Sequence, residues 1–282
     1  MRRARESVRA RRHRCGVACA GFVGFVGAIG AVYPSAWAGG HPMHQRLVYQ
    51  RDVPGDPGGT EVELESAVGT RDIRPFGRRG IENGVRVRHR FSRRLSMEAW
   101  GGALVSETIR GAGEIRLGLV LFDDEKRGID VTGGFGVRRD FEGVVIPEAG
   151  LSAGIDWGHV ILRGSGRVEM PRSDQRDAVD LLIGLGAAYR LSSSAALGIE
   201  CAGEDLEGFW DEDEAEGGAR LVAGPTLLYS PTASLSIRAN VGGTMQMTSS
   251  RPGSPDGSDA DHSPSEAGAF GLLGRAAVGV SF

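Results

Sequence analysis

The residues of this sequence that could do chemistry are arginines and carboxylates at every second position of otherwise apolar segments. Arg86, Arg88 and Arg90, for example, are separated by single residues on one short segment. Because successive side chains of a strand point to opposite faces, such charges share one face. The candidates are Arg86, Arg88, Arg90, Arg116, Asp130, Asp156, Arg163, Arg167, Asp180, Glu200, Arg220 and Arg238. Inside a closed barrel they either line a polar pore with weak ion selectivity, or pair across the interior and fill it.

The positions of the histidines indicate whether the chain could be a hydrolase. A barrel-embedded hydrolase needs a Ser and a His side by side, with a third polar group that orients the His. His159 falls at a predicted turn, and His89 falls on outward-facing positions near a strand end. His262 lies in a stretch of Ser, Asp, Pro and Gly that is typical of a loop. These positions give no such constellation at the outer rim, so the sequence predicts no enzyme and no cofactor.

Two segments contain ligands that metal ions prefer. The acidic run over 211–216 falls in a predicted outer loop and suits divalent cations shared with lipopolysaccharide, although such a run is more typical of a solvated loop. If the chain is cleaved after Ala38, it begins Gly39-Gly40-His41. A free amine, two amide nitrogens and a His at position three can enclose Cu(II) or Ni(II) in a square plane. The alternative is a chance tripeptide beside the cleavage site.

The first 38 residues predict a cleaved export signal. Residues 1–14 contain seven Arg and one Glu, an apolar run covers 15–32, and Ala36 and Ala38 are the small residues that signal peptidase requires. The alternative is an uncleaved membrane anchor. Removing the signal changes the net charge from −3 to −9, which argues against a nucleic-acid partner. It also leaves Cys201 as the single cysteine, so no intrachain disulfide can form.

The elements that position the charged residues are long strands. From Thr60 onward, apolar and polar residues alternate with a period of two, and no run of 18 apolar residues follows the signal. The alternation predicts twelve strands, near 61–70, 84–91, 95–106, 113–122, 128–140, 144–157, 159–169, 177–191, 193–205, 217–229, 233–247 and 267–282. Most have the length of a tilted strand that spans a bilayer. The sequence therefore predicts an all-β fold, a closed antiparallel up-and-down transmembrane β-barrel over 60–282, after a flexible periplasmic leader over 39–59.

The lengths of the connections and the positions of the aromatic residues predict one orientation of this barrel in the membrane. Short turns alternate with longer connections, and the long outer loops fall near 71–83, 206–217 and 248–266. Aromatic residues close the even-numbered strands, where rings with one wet edge would form a girdle at the periplasmic interface. They are Phe91, Phe122, Trp157, Tyr189, Tyr229 and Phe282. The chain has 45 glycines, and those at inward-facing positions favour space for a solute or an inserted loop.

The last segment alternates apolar residues such as Val278 and Val280 and ends in Phe282. Together with the export signal, it resembles the signature of Gram-negative outer-membrane β-barrel proteins, whose assembly machinery recognises the terminal strand. The resemblance implies an integral outer-membrane protein that contacts the lipid bilayer and lipopolysaccharide; it leaves the family and the oligomeric state open. We expect a passive channel or transport protein for small polar solutes. The alternatives are a non-conducting structural or envelope-stabilising barrel, a barrel-embedded enzyme and a soluble secreted β-sandwich.

Overall fold

The computed structural model describes residues 47–48, 58–71, 76–124, 126–173, 179–204, 220–246 and 270–282. Within these ranges the chain forms twelve β-strands. Their bounds are β1 Thr60–Gly69, β2 Gly80–Arg90, β3 Leu95–Val105, β4 Ile109–Asp124, β5 Ile129–Arg139, β6 Val145–Trp157, β7 Val160–Glu169, β8 Asp180–Arg190, β9 Ala195–Glu204, β10 Arg220–Tyr229, β11 Leu235–Gln246 and β12 Gly271–Ser281. Each strand pairs antiparallel with the next, and β1 pairs with β12 to close the sheet. The prediction of a closed antiparallel β-barrel of about twelve strands is confirmed.

The two rims of the barrel differ in their connections. At the rim that we call the turn end, every connection between strands is two to five residues long. Thr60 and Phe282 also meet there, because the Thr60 amide donates to the Phe282 carbonyl at 3.2 Å and the Phe282 amide donates back at 2.9 Å. At the opposite rim, the loop end, connections range from three residues between β3 and β4 to 24 between β11 and β12. Both ends of the barrel domain therefore lie at the turn end.

Strand β2 begins at Gly80, four residues before the position that the sequence predicted. The sequence did not predict this part of the strand because Gly80, Glu82 and Asn83 are weak strand formers. The structure extends it because Ile81 pairs with Val68 on β1 and with Val105 on β3. These three side chains continue the outward-facing apolar surface toward the loop end. The first outer connection is consequently shorter than predicted.

A β-bulge in β4 changes which side chains face outward near the turn end. The pairing with β5 shifts register between Val120 and Phe122, so that Leu121 is the extra residue. Without the bulge, Phe122 would share the inward-facing parity of Glu114 and Arg116. With it, Leu121 and Phe122 are both exposed on the outside, at 59% and 50%.

The outer face of the barrel is an apolar belt. Exposed large apolar side chains occur on all strands; examples are Val85, Val87, Ile115, Phe135, Leu151, Leu185, Ile199, Leu227, Val241 and Leu272. A continuous exposed apolar surface of this kind is rare on soluble proteins and typical of proteins that contact lipid. The shortest strands have 10 residues, which corresponds to about 33 Å of strand and, at the usual tilt, to a belt about 25 Å tall. No helix in the described ranges has the length and apolar character needed to cross a membrane.

Candidate functional site in the barrel lumen

The charged residues selected by the alternation lie on the inner face of the barrel. Eight are buried, namely Arg86, Arg88, Arg116, Asp130, Arg163, Arg167, Glu200 and Arg238. Four are partly exposed, namely Arg90, Asp156, Asp180 and Arg220. Further buried carboxylates share this face, among them Glu63, Glu98, Glu114, Glu148 and Glu169. The lumen therefore contains both signs of charge, and its character depends on how these groups pair.

The first ion-pair network begins on β2. Arg86 Nε lies 2.8 Å from Glu65 Oε1 on β1, and its Nη1 contacts Glu98 on β3. Arg88, two residues along the strand, contacts the second oxygen of Glu98. Glu98 thus binds two arginines, and all four side chains are at most 10% exposed. Buried charges at this density are compatible with a stable fold only when each one is paired.

The same network crosses the seam where the barrel closes. Arg238 on β11 contacts Glu63 on β1. Arg275 on β12 lies 3.3 Å from Glu65 on β1 and 3.5 Å from Glu82 on β2. The last two strands are therefore joined to the first two by side chains as well as by the backbone ladder.

A second network lies on the opposite wall, across β4 to β7. Glu148 receives Arg116 at 3.2 Å on one oxygen and Arg167 at 3.4 Å on the other. Arg167 also lies 3.2 Å from Glu169, whose second oxygen accepts a 2.5 Å hydrogen bond from Arg138. The Glu148 side chain is completely buried and that of Glu169 is 1% exposed. Arginines and carboxylates alternate through this network, so that each charge faces the opposite sign.

A third group of ion pairs lies near the turn end. Arg163 Nη2 is 2.7 Å from Asp156 Oδ1 and 4.0 Å from Asp130 Oδ2. Arg190 Nη2 is 2.9 Å from the other oxygen of Asp156. These contacts link β5, β6, β7 and β8 close to the rim. With the two larger networks, they give the lumen paired charges over its full height.

The remaining inner wall, formed by β8, β9 and β10, is mostly apolar. Away from the charged strand ends, its inward-facing residues are Leu182, Gly184, Gly186, Ala188, Ala196, Gly198, Ala202, Val222, Gly224 and Leu228, with Glu200 and Thr226 among them. We call this surface the apolar wall. The sequence analysis did not predict this wall, although the small residues at alternate positions of β8, β9 and β10 are a signal for it. Two side chains from outside the strands pack on it.

The first of these is Phe76, from the connection between β1 and β2. It is 7% exposed in a cluster with Leu182, Val222 and Leu273 near the loop end. Arg275 Nη1 donates a 3.0 Å hydrogen bond to the Phe76 carbonyl. Close by, Arg78 makes two hydrogen bonds of 3.0 and 2.9 Å with Glu142 from the connection between β5 and β6. This outer connection therefore folds into the barrel mouth rather than away from it.

The second is Leu47, which precedes the barrel in the sequence. Its side chain is 2% exposed in a cluster with Ile161, Ala188, Ala196 and Leu228 near the turn end. No sequence pattern pointed to it, because a single leucine outside a strand has no periodicity. Phe76 and Leu47 thus occupy the lumen toward its two ends.

Two small cavities lie between inward-facing side chains of the described residues. A cavity of about 20 Å³ is lined by Arg78, Trp100, Phe141 and neighbouring charges, and one of about 10 Å³ lies beside Leu47 and Glu200. A cavity of this size holds about one water molecule. Trp100 Nε1, which is buried without a hydrogen-bond partner, borders the larger cavity, so a water there would supply its acceptor.

The six aromatic residues of the predicted girdle lie at the turn end with exposed rings. Their exposures are Phe91 54%, Phe122 50%, Trp157 80%, Tyr189 53%, Tyr229 40% and Phe282 80%. The two described histidines lie beside this girdle. His89 makes an edge contact with Phe91 and a 2.9 Å hydrogen bond with Thr60, and His159 stacks on Tyr189.

The structure does not describe the proposed metal ligands. Gly39, Gly40, His41 and the acidic run over 211–216 are outside the described residues, so the structure does not bear on either hypothesis. Within the ranges that are described, no three His, Cys, Asp or Glu side chains are grouped to hold a metal ion.

A closed twelve-strand barrel, an apolar outer belt and a charged lumen together define the fold class: the chain has the porin-like fold of outer-membrane β-barrel proteins. Among solved structures it is similar to the KdgM porin in complex with disordered oligogalacturonate, with a TM-score of 0.54, 11% identity, and coverage of 79% of this chain and 99% of that one. It is also similar to the NanC porin, with a TM-score of 0.53, 9% identity, and coverage of 78% and 98%. At these identities the likeness shows the fold. No protein-family model and no curated protein matches the sequence.

Proposed function

We propose that this chain is an integral outer-membrane protein, exported through a cleaved signal, that acts as a narrow passive channel for small polar solutes. The observation that supports the channel best is the chain of paired charges along the lumen. It begins with Arg88 and Asp156 near the turn end and reaches Arg220, 2.6 Å from Glu204, at the loop end. A polar path of this length inside an apolar belt suits the passage of water-soluble molecules.

The mixed sign of the lumen sets the expected selectivity. Arginines and carboxylates alternate within each network, so neither cations nor anions meet an unopposed field along the path. We therefore propose weak ion selectivity and solutes without a strong charge requirement. The KdgM porin, which shares the fold, was solved in complex with oligogalacturonate. That complex supports a polar solute as the class of cargo.

The conformation described here corresponds to the closed state of such a channel. Among the described residues, the two cavities between inward-facing side chains, of about 20 and 10 Å³, admit water and exclude a sugar or an amino acid. A larger cavity of about 520 Å³ is lined mainly by side chains that face outward, among them Leu162, Leu185 and Ile199. Conduction therefore requires that Leu47, Phe76 or part of the ion-pair network move. The same burial favours the second candidate function, a non-conducting barrel that stabilises the envelope, because side chains that fill a narrow barrel also strengthen it.

Single-channel recording in planar bilayers distinguishes the two candidates. The exported chain is purified in detergent, and its folding is checked by the difference in gel migration with and without boiling. We expect discrete conductance steps with a ratio of cation to anion permeability close to one. The boiled protein is the control and should give none. If neither the folded protein nor its Leu47→Gly variant, which removes an apolar side chain from the lumen, gives steps at any voltage that the bilayer tolerates, the channel proposal fails and the structural role replaces it.

A further inference from the structure

We infer that the lumen contains a built docking site for Leu47 and Val48, which form a removable plug at the turn end. These two residues precede β1 by more than ten positions, yet they lie inside the barrel rather than beside it. The inference deepens the proposed function, because it names the element that closes the channel. The docking itself, however, has a readout that does not depend on conduction.

The first argument is the apolar pocket. Leu47 is 2% exposed, and the residues around it are Ile161 and Ala196 at 0%, Leu228 at 2% and Ala188 at 5%. These belong to β7, β9, β10 and β8, so the pocket spans four adjacent strands of the inner wall. An apolar pocket in a lumen lined by ion pairs needs an apolar occupant, because water there would lack hydrogen-bond partners. Leu47 supplies that occupant.

The second argument is the pair of charged groups that hold the backbone of the plug. The Val48 amide donates a 2.9 Å hydrogen bond to Glu200 Oε1. Arg238 Nη1 donates a 3.3 Å hydrogen bond to the Leu47 carbonyl, while the same arginine also contacts Glu63. Glu200 is 2% and Arg238 6% exposed. Two buried charges of opposite sign, on β9 and β11, thus bind the donor and the acceptor of one short stretch of main chain.

The third argument is the glycine at position 186. A Cβ built there would overlap Leu47 Cδ1 and come within 3.0 Å of Glu200 Cγ. Glycine at this position therefore leaves the space into which the leucine fits. By contrast, a Cβ at Gly166 on the neighbouring strand β7 would meet nothing within 4 Å.

The test measures access to the pocket. Ala196→Cys, in a Cys201→Ser background, places a thiol on the pocket wall, and its labelling by a charged water-soluble maleimide is followed by mass spectrometry at position 196. In the exported chain the thiol should be protected. Leu47→Gly should raise the labelling rate about thirtyfold, the ratio that corresponds to removing one buried leucine side chain. Gly186→Ala should also raise the rate, because the methyl group displaces the leucine, whereas Gly166→Ala should not.

Conductance measurements on the same variants distinguish docking of the plug from the proposed channel function. If labelling and open probability both rise in Leu47→Gly and Gly186→Ala, the plug closes a channel. If labelling rises and no variant conducts, the plug stands and the proposed channel function fails. If neither variant labels faster than Gly166→Ala while all migrate as folded barrels, the docking site is overturned whatever the conductance. Because Leu47 lies outside the strands, its replacement leaves the barrel ladder intact and keeps the test interpretable if Gly186→Ala fails to fold.

Discussion

Glu148 on β6 is a buried carboxylate whose neutralisation should destabilise the barrel strongly. Its side chain is fully buried and lies 3.2 Å from Arg116 and 3.4 Å from Arg167, which are 4% and 10% exposed. Glu148→Gln keeps the shape and removes the charge, so that two buried arginines lose their shared counter-ion. Removing one partner of a buried pair typically costs about 3–5 kcal/mol. We expect the free energy of unfolding to fall by about that amount.

Glu142→Gln is the matched control. Glu142 also contacts two arginines, Arg78 at 2.9 Å and Arg110 at 3.5 Å, but its side chain is 30% exposed and that of Arg110 is 42% exposed. Water can solvate Arg110, whereas Arg78 is 4% exposed and loses a partner in a buried position. We therefore expect a cost above the roughly 0–1 kcal/mol of an exposed pair but below that of Glu148→Gln, which removes the shared partner of two buried arginines. The chemical change is identical in the two variants, so the difference between their costs reports the burial of Glu148.

Urea titration of the barrel in lipid vesicles, followed by tryptophan fluorescence and by heat-modifiable gel migration, gives both unfolding free energies. The comparison is valid where both variants keep the wild-type dependence on urea. If Glu148→Gln costs no more than Glu142→Gln, water reaches the middle of the second network and the lumen is not filled by buried ion pairs. That result would refute the closed state as described here and would favour a continuously hydrated pore.

Inserted and outward-facing side chains give three further predictions. Phe76→Ala should lengthen channel openings in single-channel recordings, because it removes the apolar side chain buried near the loop end; Phe91→Ala on the outer face should leave them unchanged, and equal effects would contradict the role of Phe76. Cys201 is exposed on the outer face of β9, so in vesicles a membrane-permeant maleimide should label it faster than a charged impermeant one; equal rates would place the thiol in water. In single-tryptophan variants, brominated lipids should quench Trp157, which is 80% exposed, more strongly than Trp100, which borders an inner cavity; the reverse order would contradict the assigned faces.

The positions of the strands could be predicted from the sequence because lipid and lumen impose opposite polarity on alternate residues. Parity also predicts the face of a charge such as Arg86. It does not predict the partner, because the height of a side chain in the lumen depends on the register and tilt of neighbouring strands. That Arg86 reaches both Glu65 and Glu98 follows from the pairing of β2 with β1 and β3, which only the closed barrel defines.

Local breaks in the alternation escaped prediction for a different reason. The β4 bulge at Leu121 inserts one residue and reverses the parity beyond it, and the sequence there remains apolar on both sides of the change. Leu47 and Phe76 are single apolar residues outside the strands, so only the pocket that receives each of them reveals its role. The lumen could thus be predicted as polar from the strands, whereas its closure depends on residues that the strands do not contain.

The charges at the barrel seam have a consequence for assembly. Before closure, β1 is an open sheet edge with Glu61, Glu63 and Glu65 at alternate positions, and the strands that complete the barrel supply Arg238 and Arg275. Pairing between two β1 edges would supply neither Arg238 nor Arg275, so the carboxylates of both copies would share only Arg86 and Arg88 of each neighbouring β2. This shortage of positive charge disfavours edge-to-edge pairing between nascent chains. The matching edge is 210 residues away in the same chain, as the hydrogen bond from Arg275 to Glu65 records. The charges at the seam therefore favour closure of the barrel within one chain over pairing of strands between two chains.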